Sequence, residues 1–217
     1  MSIPASTINL KSPANRIPEP PFWDEFLIDI PFCNQLIEDY LIINNELINF
    51  INSKKPFMDY PKYGNLYDRT WEAFPLSLFE GEFISMAKGK LGFDLDAFVE
   101  QAKGHLPNTS ALLGPLENQG VLRNVFVSRL TPGSEIHPHK GWTSDFLRIH
   151  LGLVCDPLCT ITIGNVTKTW VPGQLLAFKD GGPYLHSVSH RGSHERIVMS
   201  FDLRLSYVAQ FIPRINT

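Results

Sequence analysis

The sequence predicts an α+β chain, mainly β, whose N-terminal half is helical and packs against a C-terminal β-domain. Three observations carry this reading. Apolar residues recur at steps of three and four near the start of the chain. Short β-branched segments set off by turn dipeptides fill the second half. No stretch between the two halves reads as a linker, so one domain over 1–217 is expected. A chain of 217 residues with 43% hydrophobic and 19% charged residues can bury one generous core.

Residues 1–22 are rich in Pro, Ser and Asn, lack periodicity and read as an irregular arm. Residues 23–120 read as a mainly helical cover. Phe26, Leu27 and Ile30, then Leu36, Ile37, Tyr40, Leu41, Leu47, Ile48 and Ile51 recur at helical spacing, with Pro31 dividing two pieces. Residues 54–66 are turn-rich, with Pro56, Pro61 and Gly64. A second helix is expected from Leu95 to Lys103, capped by Asp94 and stopped at Gly104. The aromatic segment 57–84, with Phe57, Tyr60, Tyr63, Tyr67, Trp71, Phe74 and Phe79, reads as cover for the β-domain, with a substrate wall as the alternative.

From 121 to 206 the texture is β. Strands are expected at 121–130, 149–154, 160–164, 174–178 and 196–205. In 121–130 both alternating faces are mixed, so this strand rests on its β-branched content. In the last strand Ile197, Met199, Phe201 and Leu203 form an apolar face, with Arg196, Val198, Ser200 and Asp202 on the other. The turn pairs Pro132-Gly133, Pro172-Gly173 and Gly181-Gly182 between short strands point to a sandwich or barrel.

Net charge is −3 and no Lys/Arg run occurs, which argues against nucleic acid as a partner. Cys33, Cys155 and Cys159 form no CxxC pair, so neither a disulfide framework nor a cysteine zinc site is indicated. There is no secretory leader pattern, and apolar stretches fall far short of the roughly 20 residues of a membrane helix. A soluble cytoplasmic protein with no membrane partner is expected.

Six of the seven histidines lie between 137 and 194. His137 and His139 stand two apart, which on a regular strand places them on one face. Histidine is the commonest metal ligand, yet clustering alone leaves open whether both, one or neither binds metal.

The order of motifs says more. Pro132-Gly133 precedes His139-Lys140-Gly141 and Thr143. Leu147-Arg148-Ile149-His150-Leu151-Gly152-Leu153 follows, then Trp170, Gly173, Phe178-Lys179-Asp180, His186 and Arg196. This succession, over roughly 125–205, resembles the aspartyl/asparaginyl β-hydroxylase family of Fe(II)/2-oxoglutarate oxygenases. The turn after Asp180 is slightly longer than the family's. The resemblance implies a double-stranded β-helix, or jelly roll. It implies His139 and His186 as catalytic iron ligands, with His137 no ligand but placed to line the pocket mouth. It implies that Arg196 holds the distal carboxylate of 2-oxoglutarate with help from Ser128, and that Arg148 and His150 lie near its keto-acid end. With O2, the implied reaction hydroxylates an unactivated C–H bond and releases succinate and CO2.

Two departures bear on chemistry and substrate. Non-haem iron oxygenases commonly add a carboxylate two residues after the first histidine. Here that position is Gly141, which leaves room for water or a halide, or marks a dead site. Asp145 and Asp180 read as turn or cap residues. A family arginine that helps hold an acidic substrate is replaced by Phe146, and a family asparagine by Ser144. Trp142 and Phe146 then suggest an apolar pocket rim, with Lys140 as a nearby charge, and argue against a plain aspartate side chain. A free amino acid, a short or modified peptide, or a carrier-bound intermediate is the expected partner. A non-catalytic jelly-roll protein that binds a small ligand is the alternative. A zinc hydrolase is disfavoured, since no HExxH is present.

Overall fold

The computed structural model describes residues 19–60, 64–77, 94–141 and 143–216. Most of the expected arm, together with Tyr63, Phe79 and Trp142, lies outside the described residues.

A 3-10 turn at Asp24–Asp29 leads into α1 (Pro31–Glu38) and α2 (Tyr40–Lys54). Pro31 opens α1 at its first turn, where a missing N–H forfeits no helical bond. Next, α3 (Leu95–His105) is capped as expected, the Asp94 carboxylate accepting from the Ala97 N–H at 3.0 Å. It runs past Gly104, and α4 (Pro107–Asn118) follows at once. That helix carries Pro115 inside it and gave no clear signal. Glu46 of α2 supplies its cap from outside, accepting from the Asn108 and Thr109 N–H groups at 2.9 Å each.

The strands are β1 (Met58–Asp59), β2 (Tyr67–Asp68), β3 (Trp71–Pro75), β4 (Leu122–Leu130), β5 (Glu135–His139), β6 (Phe146–Val154), β7 (Cys159–Ile163), β8 (Val166–Thr169), β9 (Leu175–Phe178), β10 (His186–His190) and β11 (Arg196–Arg204). Among the described residues they form two antiparallel sheets, ordered β1-β3-β4-β11-β6-β9 and β2-β5-β10-β7-β8. From β4 onward the chain passes back and forth between the sheets, which makes a double-stranded β-helix. A short helix, α5 (Leu205–Val208), follows β11.

Segment 58–75 was expected within the helical cover. It instead adds strands to both sheets, with β3 paired along β4 from Trp71↔Leu130 to Pro75↔Phe126. β3 is held by pairing with the nine-residue β4, β1 by pairing with β3 and β2 by pairing with β5, so local periodicity does not announce them.

Alternation along β11 divides the core as expected. Ile197, Met199, Phe201 and Leu203 join the helices in one cluster, and Phe201 meets Phe32 edge-on at 5.7 Å. Val198 faces the other way, into a second cluster between the sheets with Ile136, Ile161 and Phe178. The mixed faces of 121–130 have a structural cause. Asn124 sits at φ 49° in a bulge, where Ser200↔Phe126 is followed by Asp202↔Arg123, three residues on β4 against two on β11. The bulge flips the alternation, so Leu122 joins Val125 and Val127 in the helix-side core. Among the described residues no helix is long and apolar enough to cross a membrane.

Candidate active site

Between the sheets lies a cavity. It is lined by His139, His186, Arg148, His150, Arg196 and Ser128, together with Asp180 and several aromatic side chains. The structure therefore brings together six residues that the sequence singled out, from the five strands β4, β5, β6, β10 and β11.

His139 ends β5 and His186 begins β10. The two are direct cross-strand partners, with ring centroids 4.1 Å apart. The His137 carbonyl sits 2.7 Å from His139 Nδ1, so that nitrogen carries the proton and donates, leaving the Nε2 lone pair free. Burial, then the neighbouring His186, push the His139 pKa down to about 4, so the ring is neutral and competent to bind metal at neutral pH. On His186, Nε2 lies 3.2 Å from Asp180 Oδ1, while Nδ1 is buried without a hydrogen-bond partner.

The Asp180 carboxylate was expected to be a turn or cap group; it lies inside the site instead. A Cβ placed on Gly141 would overlap it, and the Gly141 N–H donates to the Asp180 carbonyl at 2.9 Å. Glycine at 141 is thus what admits a carboxylate from another strand end. Burial works against its charge. Arg148 Nη1, 2.9 Å away, then His186, outweigh that and hold its pKa well below the carboxylate range. Asp180 Oδ1 is buried with no well-directed donor, although both partners are near.

Arg148 is more committed than the sequence suggested. Its Nε and Nη2 grip Asp202 Oδ1 and Oδ2 at 2.8 Å each, and its Nη1 faces Asp180. His150 stands two residues along β6. Trp170 Nε1 donates to His150 Nδ1 at 3.2 Å, which places the proton of the neutral ring on Nε2. Burial, then Arg196 and Arg148, hold its pKa well below the usual value, so it stays neutral.

Ring contacts trace the length of the cavity. Phe178 lies 5.2 Å from His186 and 5.4 Å from His150, and His150 lies 5.9 Å from Trp170. At the end stands Arg196, 2% exposed, with its guanidinium 4.9 Å from the Trp170 ring. Its Nη1 donates to Ser128 Oγ at 3.3 Å, and Trp71 Nε1 donates to the same oxygen at 3.0 Å. Among the described residues no carboxylate pairs with Arg196, and its Nε is buried without an acceptor. Burial presses its pKa downward.

Other expected residues fall elsewhere. His137 does not share the face of His139. A bulge in β5 sets His186↔His139 beside Val188↔Ile136, so Ile136 and His139 face the cavity together. The His137 ring turns out to Asp68, 3.2 Å away. Lys140 is exposed, and Phe146 is half-buried under the Arg204 guanidinium at 5.1 Å; neither lines the cavity. Trp142 is outside the described residues. His190 is buried at the far end of β10, and His194 lies in the turn beyond, where Asp156 accepts from the Ser193 and His194 N–H groups. Trp71, which the sequence read as cover, lines the cavity; its Ser128 contact depends on β3–β4 pairing and left no local signal.

Among the described residues no three His, Cys, Asp or Glu side chains form a ready metal cage. The donor set fits a two-histidine site with open positions and an adjacent, Arg-held carboxylate. It does not fit a closed structural site.

The sequence model of a family described as aspartyl/asparaginyl beta-hydroxylase matches residues 38–205. The aspartate beta-hydroxylase domain-containing protein 2 of Xenopus tropicalis is 37% identical over 103 residues, covering 45% of this chain and 27% of that protein. The human aspartyl/asparaginyl beta-hydroxylase is 36% identical over 107 residues, 48% of this chain and 14% of its own length. The matches thus span about a quarter or less of these relatives. A solved Pseudomonas putida prolyl-4-hydroxylase aligns over 78% of this chain and 97% of its own, at 11% identity and a TM-score of 0.43.

Proposed function

The chain belongs to the aspartyl/asparaginyl β-hydroxylase family, and from that premise we propose that it is an Fe(II)/2-oxoglutarate-dependent dioxygenase. It hydroxylates an unactivated C–H bond of an amino acid, a peptide or a peptide-derived molecule. One observation carries the reading beyond the family: Arg196 is buried at the end of the cavity with no carboxylate partner among the described residues. An unpaired buried guanidinium is costly, and a dicarboxylate cosubstrate supplies the missing anion.

His139 and His186 hold the iron through imidazole nitrogens, with Asp180 sharing the positive charge. Arg196 would pair with the distal carboxylate of 2-oxoglutarate, beside Ser128, whose hydroxyl Trp71 holds in place. His150, with its proton on Nε2, donates toward the keto-acid end. Phe178, Ile161 and Val188 exclude water from the space between. The bound iron supplies O2 activation coupled to oxidation of the keto acid. Overall, 2-oxoglutarate, O2 and R–H give succinate, CO2 and R–OH, one oxygen atom entering each of succinate and product.

The net charge of −3 and the three free cysteines support a cytoplasmic protein acting on small-molecule, peptide or carrier-bound substrates rather than on nucleic acid or membranes. Incubation with Fe(II), 2-oxoglutarate and O2 tests the assignment. Succinate should form slowly even without substrate, and should be lost in His139→Ala and His186→Ala. Equal succinate in all three proteins, or none in any, would leave a jelly-roll binding protein instead.

A further inference from the structure

Arg148 holds two carboxylates, Asp180 inside the site and Asp202 behind it, and the difference in how it holds them is informative. Asp202 takes a two-bond fork from Nε and Nη2, at 2.8 Å each. Asp180 receives only the remaining Nη1 edge. Asp202 is 3% exposed, and its Oδ2 also accepts from Asn124 Nδ2 at 2.8 Å. Asn124 reaches it from the β4 bulge, in the left-handed backbone that asparagine tolerates better than most residues.

Among the described residues the Arg148 guanidinium bonds to both carboxylates, and the better-bonded Asp202 takes most of it. The surplus negative charge stays on Asp180, beside the histidine pair. We propose that Asn124 and Asp202 are positioning residues: they lock Arg148 so that Asp180 stays in the space left by Gly141, anionic and turned toward a divalent cation held by His139 and His186. This rests on the iron-site reading above. Without Asp202, Arg148 is free to neutralise Asp180, and the site loses its attraction for metal.

The test uses the full, metal-free chain titrated with Co(II) alone in a calorimeter. Wild type should bind and His139→Ala should not. Asp202→Asn and Asn124→Gly should bind at least about tenfold more weakly, as loss of an outer partner of a metal site does. Asn124→Gly keeps the left-handed backbone and removes only the amide, so it decides the matter if Asp202→Asn does not fold. A metal-free readout stands beside it: the Arg148 Nε–H resonance should exchange slowly with water in wild type and faster in Asn124→Gly. Wild-type-like Co(II) affinity in Asn124→Gly, or unchanged exchange, overturns the positioning role. Failure of wild type to bind Co(II) overturns the two-histidine reading itself, and the positioning role falls with it.

Discussion

The Asp180 carboxylate occupies the space that a side chain at residue 141 would fill. Gly141 and Asp180 are also tied by a backbone hydrogen bond of 2.9 Å, so the two strand ends dock as a unit. Gly141→Ala should therefore push the carboxylate from His186 with little effect on the core. The expectation is a loss of activity and metal affinity of about 10–100-fold, the usual effect of disturbing a group beside a metal ligand. Metal titration alongside a melting curve checks it. Unchanged metal affinity would mean that Asp180 has no part in the site.

Arg196 carries an expected trade of stability for binding. With no carboxylate beside it among the described residues, its buried charge is a burden that a bound dicarboxylate would relieve. Arg196→Met should raise the melting temperature of the ligand-free protein, by roughly 2–4 °C for each kcal/mol relieved. Added 2-oxoglutarate should stabilise wild type, by about 2.7 kcal/mol at one hundred times its dissociation constant, and leave the variant unmoved. Thermal melts with and without 2-oxoglutarate decide it.

Trp170 fixes the His150 tautomer and lies against Arg196. Trp170→Phe keeps an aromatic ring and removes the donor. A neutral hydrogen bond is worth about 0.5–1.5 kcal/mol, so the KM for 2-oxoglutarate should rise roughly 2- to 12-fold with kcat little changed. Steady-state kinetics against 2-oxoglutarate measure it. A fall in kcat at constant KM would place His150 elsewhere in the reaction.

Acid stability has a named contributor away from the site. Asp156 accepts from the backbone N–H groups of Leu158, His194 and Ser193, which hold its pKa down to about 2. In the unfolded chain the group titrates near about 3.9. Its contribution is therefore fully present above that value and is lost as pH falls toward 2. Urea midpoints between pH 2 and 5 should drop more steeply for wild type than for Asp156→Asn. Parallel curves would show that the carboxylate is not held in this way.

Which parts were legible in the sequence follows from what each part depends on. The Arg148–His150 stretch and the Arg196 strand are readable because alternation sets which residues face inward: Leu147, Ile149 and Leu151, like Ile197, Met199 and Phe201, join the helix-side core and leave Arg148, His150 and Arg196 to the cavity. His137 was misplaced because the β5 bulge breaks that alternation two residues before His139. The Asn124 bulge leaves a trace, the mixed faces of 121–130, that by pattern alone reads as a weak strand rather than as a flip. Asp180 reads as a turn residue because its role needs Gly141, 39 positions earlier, to leave room for it. Trp71 and β3 depend on pairing with β4, and β2 on pairing with β5, long-range contacts with no local pattern.

A two-histidine iron site that chelates 2-oxoglutarate would carry its own optical signature. The direct measurement adds Fe(II) and 2-oxoglutarate to the pure protein without oxygen and records the weak visible charge-transfer band of the chelate. Wild type should show the band, and His186→Ala should not. Normal metal binding without any band in wild type would mean that the site does not chelate 2-oxoglutarate.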